Sequence, residues 1–317
     1  MKPYHPLQFN FWRCYFIQMR PYLLFVSGAA GMTGVAFGLY RFPEASLATL
    51  YLAFPAFFLA YGFGQALTDC FQTDTDRLSA PERPLSKGLL ERGPVLAVSV
   101  LGLLGTAGLL VWLNPLNMAF GLLSVAGLAT YTLIKRRFWW GGPPYNAWIV
   151  ALLPVMGYLT AAPTLEGLTL PLLLMTFFAY ANFVLMGYLK DIEADAATGY
   201  RTFPVVFGWH DTVRMGHLLA LAGVGSFVPY LGAAGTASLL AWSLALAFAL
   251  AGQWHAARVK EEKAANSIFS ITCTVRTFIL LQLAAILAFQ PAWLAAGLLF
   301  YLLFEGVLYL RHEQNQV

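Results

Sequence analysis

The chain has 317 residues, 59% of them hydrophobic and 11% charged, with a mean hydropathy of +0.65. Such a balance excludes an ordinary soluble domain, and the formal charge of +4 needs no nucleic-acid partner, because cations retained at a membrane face account for it. Cys14, Cys70 and Cys273 have no paired spacing, so neither a disulfide framework nor a zinc site is expected.

Residues 1–20 carry Lys2, Arg13 and Arg20 among aromatics and lack an apolar core followed by a small-residue cleavage site. They read as an interfacial helix rather than a signal peptide. Apolar stretches able to cross a hydrocarbon core of ~30 Å then recur. They lie at 21–40, 46–67, 93–113, 117–134, 146–162, 168–189, 213–232, 237–253, 268–289 and 292–310. The expected fold is all-α, a polytopic membrane helical bundle of nine to ten transmembrane helices. The last pair reads either as two spans or as one span plus an interfacial segment. No linker or low-complexity tract divides the chain, so residues 1–317 form one integral domain. Two helical halves, about 21–135 and 146–253, echo each other and are followed by C-terminal helices.

Lys and Arg set orientation. Lys2, Arg13 and Arg20 precede the first span; Arg77, Arg83, Lys87 and Arg92 follow the second; Lys135, Arg136 and Arg137 follow the fourth. Lys190 and Arg201 follow the sixth, with Arg214 opening the seventh; Arg258, Lys260 and Lys263 follow the eighth, and Arg311 the tenth. The opposite loops hold only Arg41. Both termini are therefore expected in the cytoplasm, in an integral protein of the cell membrane, a bacterial inner membrane.

Two acidic clusters interrupt the apolar chain on that same side: TDCFQTDTDRLSAPERPLSKG at 68–88 and KDIEADAATGYRTFPVVFG at 190–208. Thr68, Gln72 and Asp76 are spaced four apart, and Asp69 lies seven before Asp76, so on a continuous helix they share a face. Asp74 falls elsewhere, as a cap or a loop ligand. In the second cluster Asp191 and Asp195 sit four apart, with Glu193 off that face. Oxygen ligands of this kind suit Mg²⁺, which keeps several waters and is shared between carboxylates and substrate phosphates. The bland alternative is a solvated rim of acids at helix ends.

The order of the surrounding residues favours the first reading. The first cluster resembles the leading aspartate-rich motif of the UbiA superfamily of intramembrane prenyltransferases, NDxxDxxxD followed by xxNxPxRPLxxG, in Asp69, Asp76, Pro81, Arg83, Pro84, Leu85 and Gly88. The second is similar to that family's KDxxxDxxxGxxTxP segment, in Lys190, Asp191, Asp195, Gly199, Thr202, Pro204 and Gly208. The family's YxxxK stands at Tyr131 and Lys135. Three ordered motifs cover nearly the whole chain, from about Arg20 to about residue 289. Two positions depart: Thr68 replaces the asparagine and Gln72 the central aspartate, which removes a formal charge from the metal site. A tenth span beyond the usual nine is a further departure.

The resemblance implies helices around a central cavity and a Mg²⁺-dependent prenyltransferase. Such an enzyme ionises a polyprenyl diphosphate and transfers the prenyl group to a lipophilic, aromatic acceptor within the lipid bilayer. Thr68, Asp69, Gln72, Asp76, Asp191 and Asp195 are the implied metal ligands. Arg83, Tyr131, Lys135, Lys190 and Arg201 are the implied diphosphate ligands, and Asp76, Asp191, Asp195 and Lys135 the catalytic set. Each cation has an alternative reading as a topological marker. Arg276 reads as snorkelling to the interface, Asn182 as lining the cavity or bonding a neighbouring helix, and His210 as a surface residue. Glu305 is assigned no catalytic role.

Three rivals stand. A terpene cyclase of the same superfamily needs no acceptor. A CDP-alcohol phosphotransferase is suggested by Gly187, Asp191 and Asp195, but the rest of its motif is missing from Ala179 to Met186. A transporter would place its acids near mid-membrane rather than at one face.

Overall fold

The computed structural model describes residues 2–45 and 48–310; residues 46 and 47 of the expected second span, and Arg311, lie outside the described residues. Every described element is helical. In chain order these are α1 (Phe9–Gln18), α2 (Pro21–Arg41), α3 (Ala48–Asp69), α4 (Thr73–Ser79), α5 (Arg92–Leu113), α6 (Asn117–Arg137), α7 (Gly142–Ala161), α8 (Leu170–Gly187), α9 (Ile192–Ala197), α10 (Phe203–Gly225), α11 (Thr236–Arg258), α12 (Ala264–Phe289) and α13 (Leu294–Tyr309).

α1 buries Phe11, Cys14, Tyr15 and Gln18 on one face and exposes Phe9, Trp12 and Phe16, as suits a helix lying along an interface. Among the described residues, nine helices are long and apolar enough to cross a membrane, and α7 is not among them. Its first turns carry Pro143, Pro144, Tyr145 and Asn146, which lower its mean hydropathy. It crosses nonetheless, because α6 and α8 end on the same side, where Lys135 meets Asp195, and α7 must connect that side to the start of α8. The seventh span departs from its expected start at 213. α10 opens at Phe203 but breaks at Gly208 (φ 78°, ψ −178°), so the continuous helix begins with Trp209.

α2 and α12 are enclosed by protein, whereas α5, α6 and α13 present most of their surface outward. α2 packs on α3, α7 and α12, and α8 on α7, α10 and α12. Glycine lets α2 and α7 meet backbone to backbone. A Cβ on Gly34 would lie 2.0 Å from the Pro154 carbonyl oxygen, and one on Gly157 would lie 2.0 Å from that of Gly31. Gly34→Leu is expected to destabilise the bundle by about 3 kcal/mol, read as a lowered melting midpoint in detergent; an unchanged midpoint would mean that the helices do not touch there.

Arg276 does not snorkel. It makes a bidentate ion pair with Glu305, Nε to Oε1 and Nη2 to Oε2 both at 2.7 Å, while the Tyr301 hydroxyl donates to Glu305 at 2.7 Å. A guanidinium within a long apolar helix is stabilised by a carboxylate partner, and α13 supplies it. Asn182 accepts from Gln253 Nε2 at 3.1 Å, a bond between neighbouring helices. His210 sits at the surface, 3.5 Å from Glu262.

Candidate active site at one end of the bundle

The expected continuous face over Thr68, Gln72 and Asp76 is broken. α3 stops at Asp69, and Gln72 (φ −121°, ψ 19°) is the residue that enters α4. A run of Thr and Asp competes with the helical backbone for hydrogen bonds, which accounts for the interruption. Asp74 and Asp76 fall in the first turn of α4, where the helix dipole favours negative charge. The break does not scatter the cluster: Thr68, Asp69, Gln72 and Asp76 all line one cavity.

The second cluster is built by a similar interruption. α8 ends at Gly187, a short 3₁₀ turn covers Tyr188–Lys190, and α9 starts after Asp191. The Asp195 N–H donates to the Asp191 carbonyl at 2.7 Å, so the spacing of four is helical in the backbone. The side chains part company. Asp191 lines the cavity, whereas Asp195 is 0% exposed and off its wall. Gly199, at φ +77°, reverses the chain after α9, so that the Tyr200 N–H reaches the Asp195 carbonyl at 2.8 Å.

The cavity, about 230 Å³, is walled by α2, α3, α5, α6, α7 and α8, with α4 and the turn before α9 at its mouth. Arg20, Arg83, Lys135 and Lys190 line it. Arg20 adopts a left-handed backbone (φ 54°, ψ 79°) between α1 and α2 and reaches Asp69 at 2.9 Å. Gln18 and Gln65 each donate to the same carboxylate at 2.6 Å. Gln18 also accepts the Leu85 N–H at 3.1 Å, which fixes the loop carrying Arg83. Arg83 pairs with Asp76 at 2.6 Å and stands 4.0 Å from Asp69.

Lys135, 5% exposed, lies 3.6 Å from Asp195 Oδ1, an oxygen with no hydrogen-bond partner, and over the rings of Tyr188 and Tyr200 at 4.8 and 5.0 Å. Thr202 donates to the other Asp195 oxygen at 3.1 Å. The hydroxyls of Tyr131 and Tyr188 are 2.9 Å apart. Burial pushes the Asp76 carboxyl above the ordinary carboxylate range against the pull of Arg83, and pushes Asp195 upward against the pull of Lys135.

The donor set suits a hard divalent cation. Asp76 and Asp191 line the cavity with Gln72, which has an amide oxygen to offer, and Thr68, whose hydroxyl donates to the Gln65 carbonyl at 3.0 Å and keeps its lone pairs. Among the described residues no group of three His, Cys, Asp or Glu forms a complete cage. Magnesium does not ask for one, since one or two carboxylates, waters and substrate phosphates complete its octahedron. Asp69, held by Arg20, Gln18 and Gln65, has its oxygens committed to neutralising a cation. Gln72 is half-buried and donates weakly to Thr132 at 3.2 Å. Gln72→Asp is expected to lower the Mg²⁺ concentration for half-maximal turnover several-fold, because it restores a carboxylate at the mouth and caps α4. A Mg²⁺ titration checks this, and an unaltered curve would place residue 72 away from the metal.

The expected set thus converges on one chamber with two exceptions. Asp195 acts on Lys135 from behind the wall. Arg201 is exposed and does not line the cavity; its N–H bonds the Arg136 carbonyl at 3.2 Å. Four residues emerge that the sequence did not single out: Gln18, Arg20, Gln65 and Tyr188. Arg20 carried one signal, as the last cation before the first span, which topology alone already explained.

Residues 27–275 match the model of the UbiA prenyltransferase family. Digeranylgeranylglyceryl phosphate synthase of Halobacterium salinarum is 31% identical over 215 residues, covering 67% of this chain and 76% of the relative. The Thermococcus kodakarensis synthase of the same name is 28% identical over 212 residues, 66% and 75% of the two chains. Among solved structures, the apo UbiA homolog of Aeropyrum pernix superposes with TM-score 0.68 at 19% identity, covering 87% of this chain and 98% of that one. The Archaeoglobus fulgidus homolog bound to GPP and Mg²⁺ superposes with TM-score 0.57 at 19% identity, covering 84% and 99%.

Proposed function

The chain belongs to the UbiA prenyltransferase family, and on that premise we propose that it is a Mg²⁺-dependent intramembrane prenyltransferase acting on a prenyl diphosphate and a lipophilic acceptor. One observation carries the reading: Arg20, Arg83, Lys135 and Lys190 gather with Asp76 and Asp191 at the mouth of a chamber whose deeper wall is apolar and aromatic. Cations and hard oxygens at the mouth suit a metal diphosphate; the deeper wall suits a hydrocarbon chain.

Asp76 and Asp191, with Thr68 and Gln72, would hold the metal, which when bound supplies Lewis-acid stabilisation of the leaving diphosphate. In the reaction the allylic C1–O bond breaks and its electron pair stays on the diphosphate. Arg83, Lys135 and Lys190 neutralise the oxygens that gain charge, and Tyr131, bonded to Tyr188, offers a further donor at the same level. Asp195 and Thr202 hold Lys135 in place. Below the mouth Tyr22, Tyr61, Tyr180 and Phe183 line the chamber, so the allylic cation faces aromatic rings rather than water. The acceptor nucleophile then bonds to C1 and releases its proton.

The cation distribution supports a mouth and both termini on the cytoplasmic side of the cell membrane, a bacterial inner membrane being our choice. The test incubates purified protein with Mg²⁺ and prenyl diphosphates, with and without acceptors of aromatic and glyceryl phosphate type. Acceptor-dependent diphosphate release, abolished by chelation, is expected. A cyclic hydrocarbon formed without acceptor would replace transfer by cyclisation, and no diphosphate release in any mixture would sink the proposal.

A further inference from the structure

The wall that α6 contributes to the chamber runs along one stripe, Asn117, Gly121, Ser124, Leu128, Tyr131 and Lys135, with Val125 beside it. Steps of four and three residues keep them on one helical face, so the stripe is a ruler running from the mouth into the bilayer. At 1.5 Å per residue, the 14 positions between Tyr131 and Asn117 span roughly 21 Å. An isoprene unit adds four carbon–carbon bonds of about 1.5 Å, hence roughly 5 Å of extended chain.

The far end of the ruler is closed by a polar residue. Asn117 is 1% exposed; its Nδ2 donates to the Leu110 carbonyl at 2.9 Å, tying α6 to α5, and its Oδ1 has no partner. Leu110, Leu153 and Met156 surround that depth of the chamber. Asn117 is already out of water and tied to the Leu110 carbonyl, so it cannot yield to a longer chain without breaking that bond, and the floor stops any chain long enough to reach it. Between floor and mouth Gly121 leaves the path open: a Cβ built there meets nothing within 4 Å.

We propose that α6 gauges prenyl length, with Asn117 as the floor and Gly121 as the opening to the last unit, and that the donor carries four isoprenes, as in geranylgeranyl diphosphate. This rests on the reading of the mouth as the diphosphate site. With C1 at the depth of Tyr131, three units reach Gly121, at roughly 15 Å, and the fourth ends at Asn117.

The test measures binding of non-ionising prenyl thiolodiphosphates of two, three, four and five units to the full-length protein with Mg²⁺, so that no acceptor is needed. For the wild type, affinity is expected to rise up to four units and not beyond. In Gly121→Phe the four-unit over two-unit affinity ratio should fall at least tenfold, and Ser124→Phe, roughly 10 Å from Tyr131, should move the break one unit shorter still, to two units. A length profile unchanged in either variant, each checked by its melting midpoint, overturns the gauge, as does a wild type that binds all lengths alike; Gly121→Val decides if both aromatic variants fail to fold. No binding of any analogue by the wild type would instead overturn the diphosphate site itself.

Discussion

Asp191→Asn is expected to lower turnover about 10³-fold while leaving the melting midpoint nearly unmoved, an effect in the range found when one preorganised charge is removed from a transition state. The fold is spared because Asp191 is the residue that enters α9, and Asn serves that position as well as Asp. What disappears is a formal charge at the mouth. The site has few to spare: Gln72 stands where a carboxylate was expected, Asp69 is engaged by Arg20, and Asp76 shares its carboxylate with Arg83 at 2.6 Å. Asp76→Asn should also abolish turnover, but it strips a buried guanidinium of its partner, so its loss mixes chemistry with folding. The comparison is informative: diphosphate release and melting measured together should separate for Asp191→Asn and fall together for Asp76→Asn. Near-normal turnover of Asp191→Asn over a Mg²⁺ series would remove Asp191 from the metal.

Most of the fold was legible because bilayer thickness fixes helix length, and the ten apolar runs mark ten helices among the described residues. α10 was misplaced for the reason that a periodic apolar pattern does not reveal a broken backbone; only the left-handed Gly208 does. The site was legible in its charges and less so in its geometry. Asp76, Asp191, Lys135 and Arg83 could be found because acids and bases interrupting an apolar sequence are conspicuous. Arg20 and Tyr188 could not, since one cation near a membrane face and one tyrosine among 15 look like topology and belt residues. The division of labour between Asp191 and Asp195 was equally hidden: residues four apart share a helical face, but here one starts the helix from a turn and the other is walled in by Lys135 and Thr202.

That walled-in carboxylate makes Lys135→Met the second large effect. The change removes the ammonium 3.6 Å from Asp195 Oδ1, an oxygen without a hydrogen-bond donor, and leaves a carboxylate that is 0% exposed with Thr202 alone. Breaking a buried pair from one side costs about 3–5 kcal/mol, because the surviving charge stays desolvated. Turnover should fall by orders of magnitude as well, since Lys135 lines the chamber at the end proposed for the diphosphate. Stability and catalysis can be told apart by the double change Lys135→Met, Asp195→Leu. Removing both charges relieves the desolvation, so the melting midpoint should recover most of its loss, whereas turnover should not return, because Asp195 works only through Lys135. Asp195→Asn alone gives the remaining corner of the cycle: Thr202 can still bond the amide, Lys135 keeps its place over Tyr188 and Tyr200, and activity should drop less than in Lys135→Met. A double variant whose activity recovers along with its stability would show that Lys135 serves only to neutralise Asp195, and that the diphosphate is held by Arg83 and Lys190 without it.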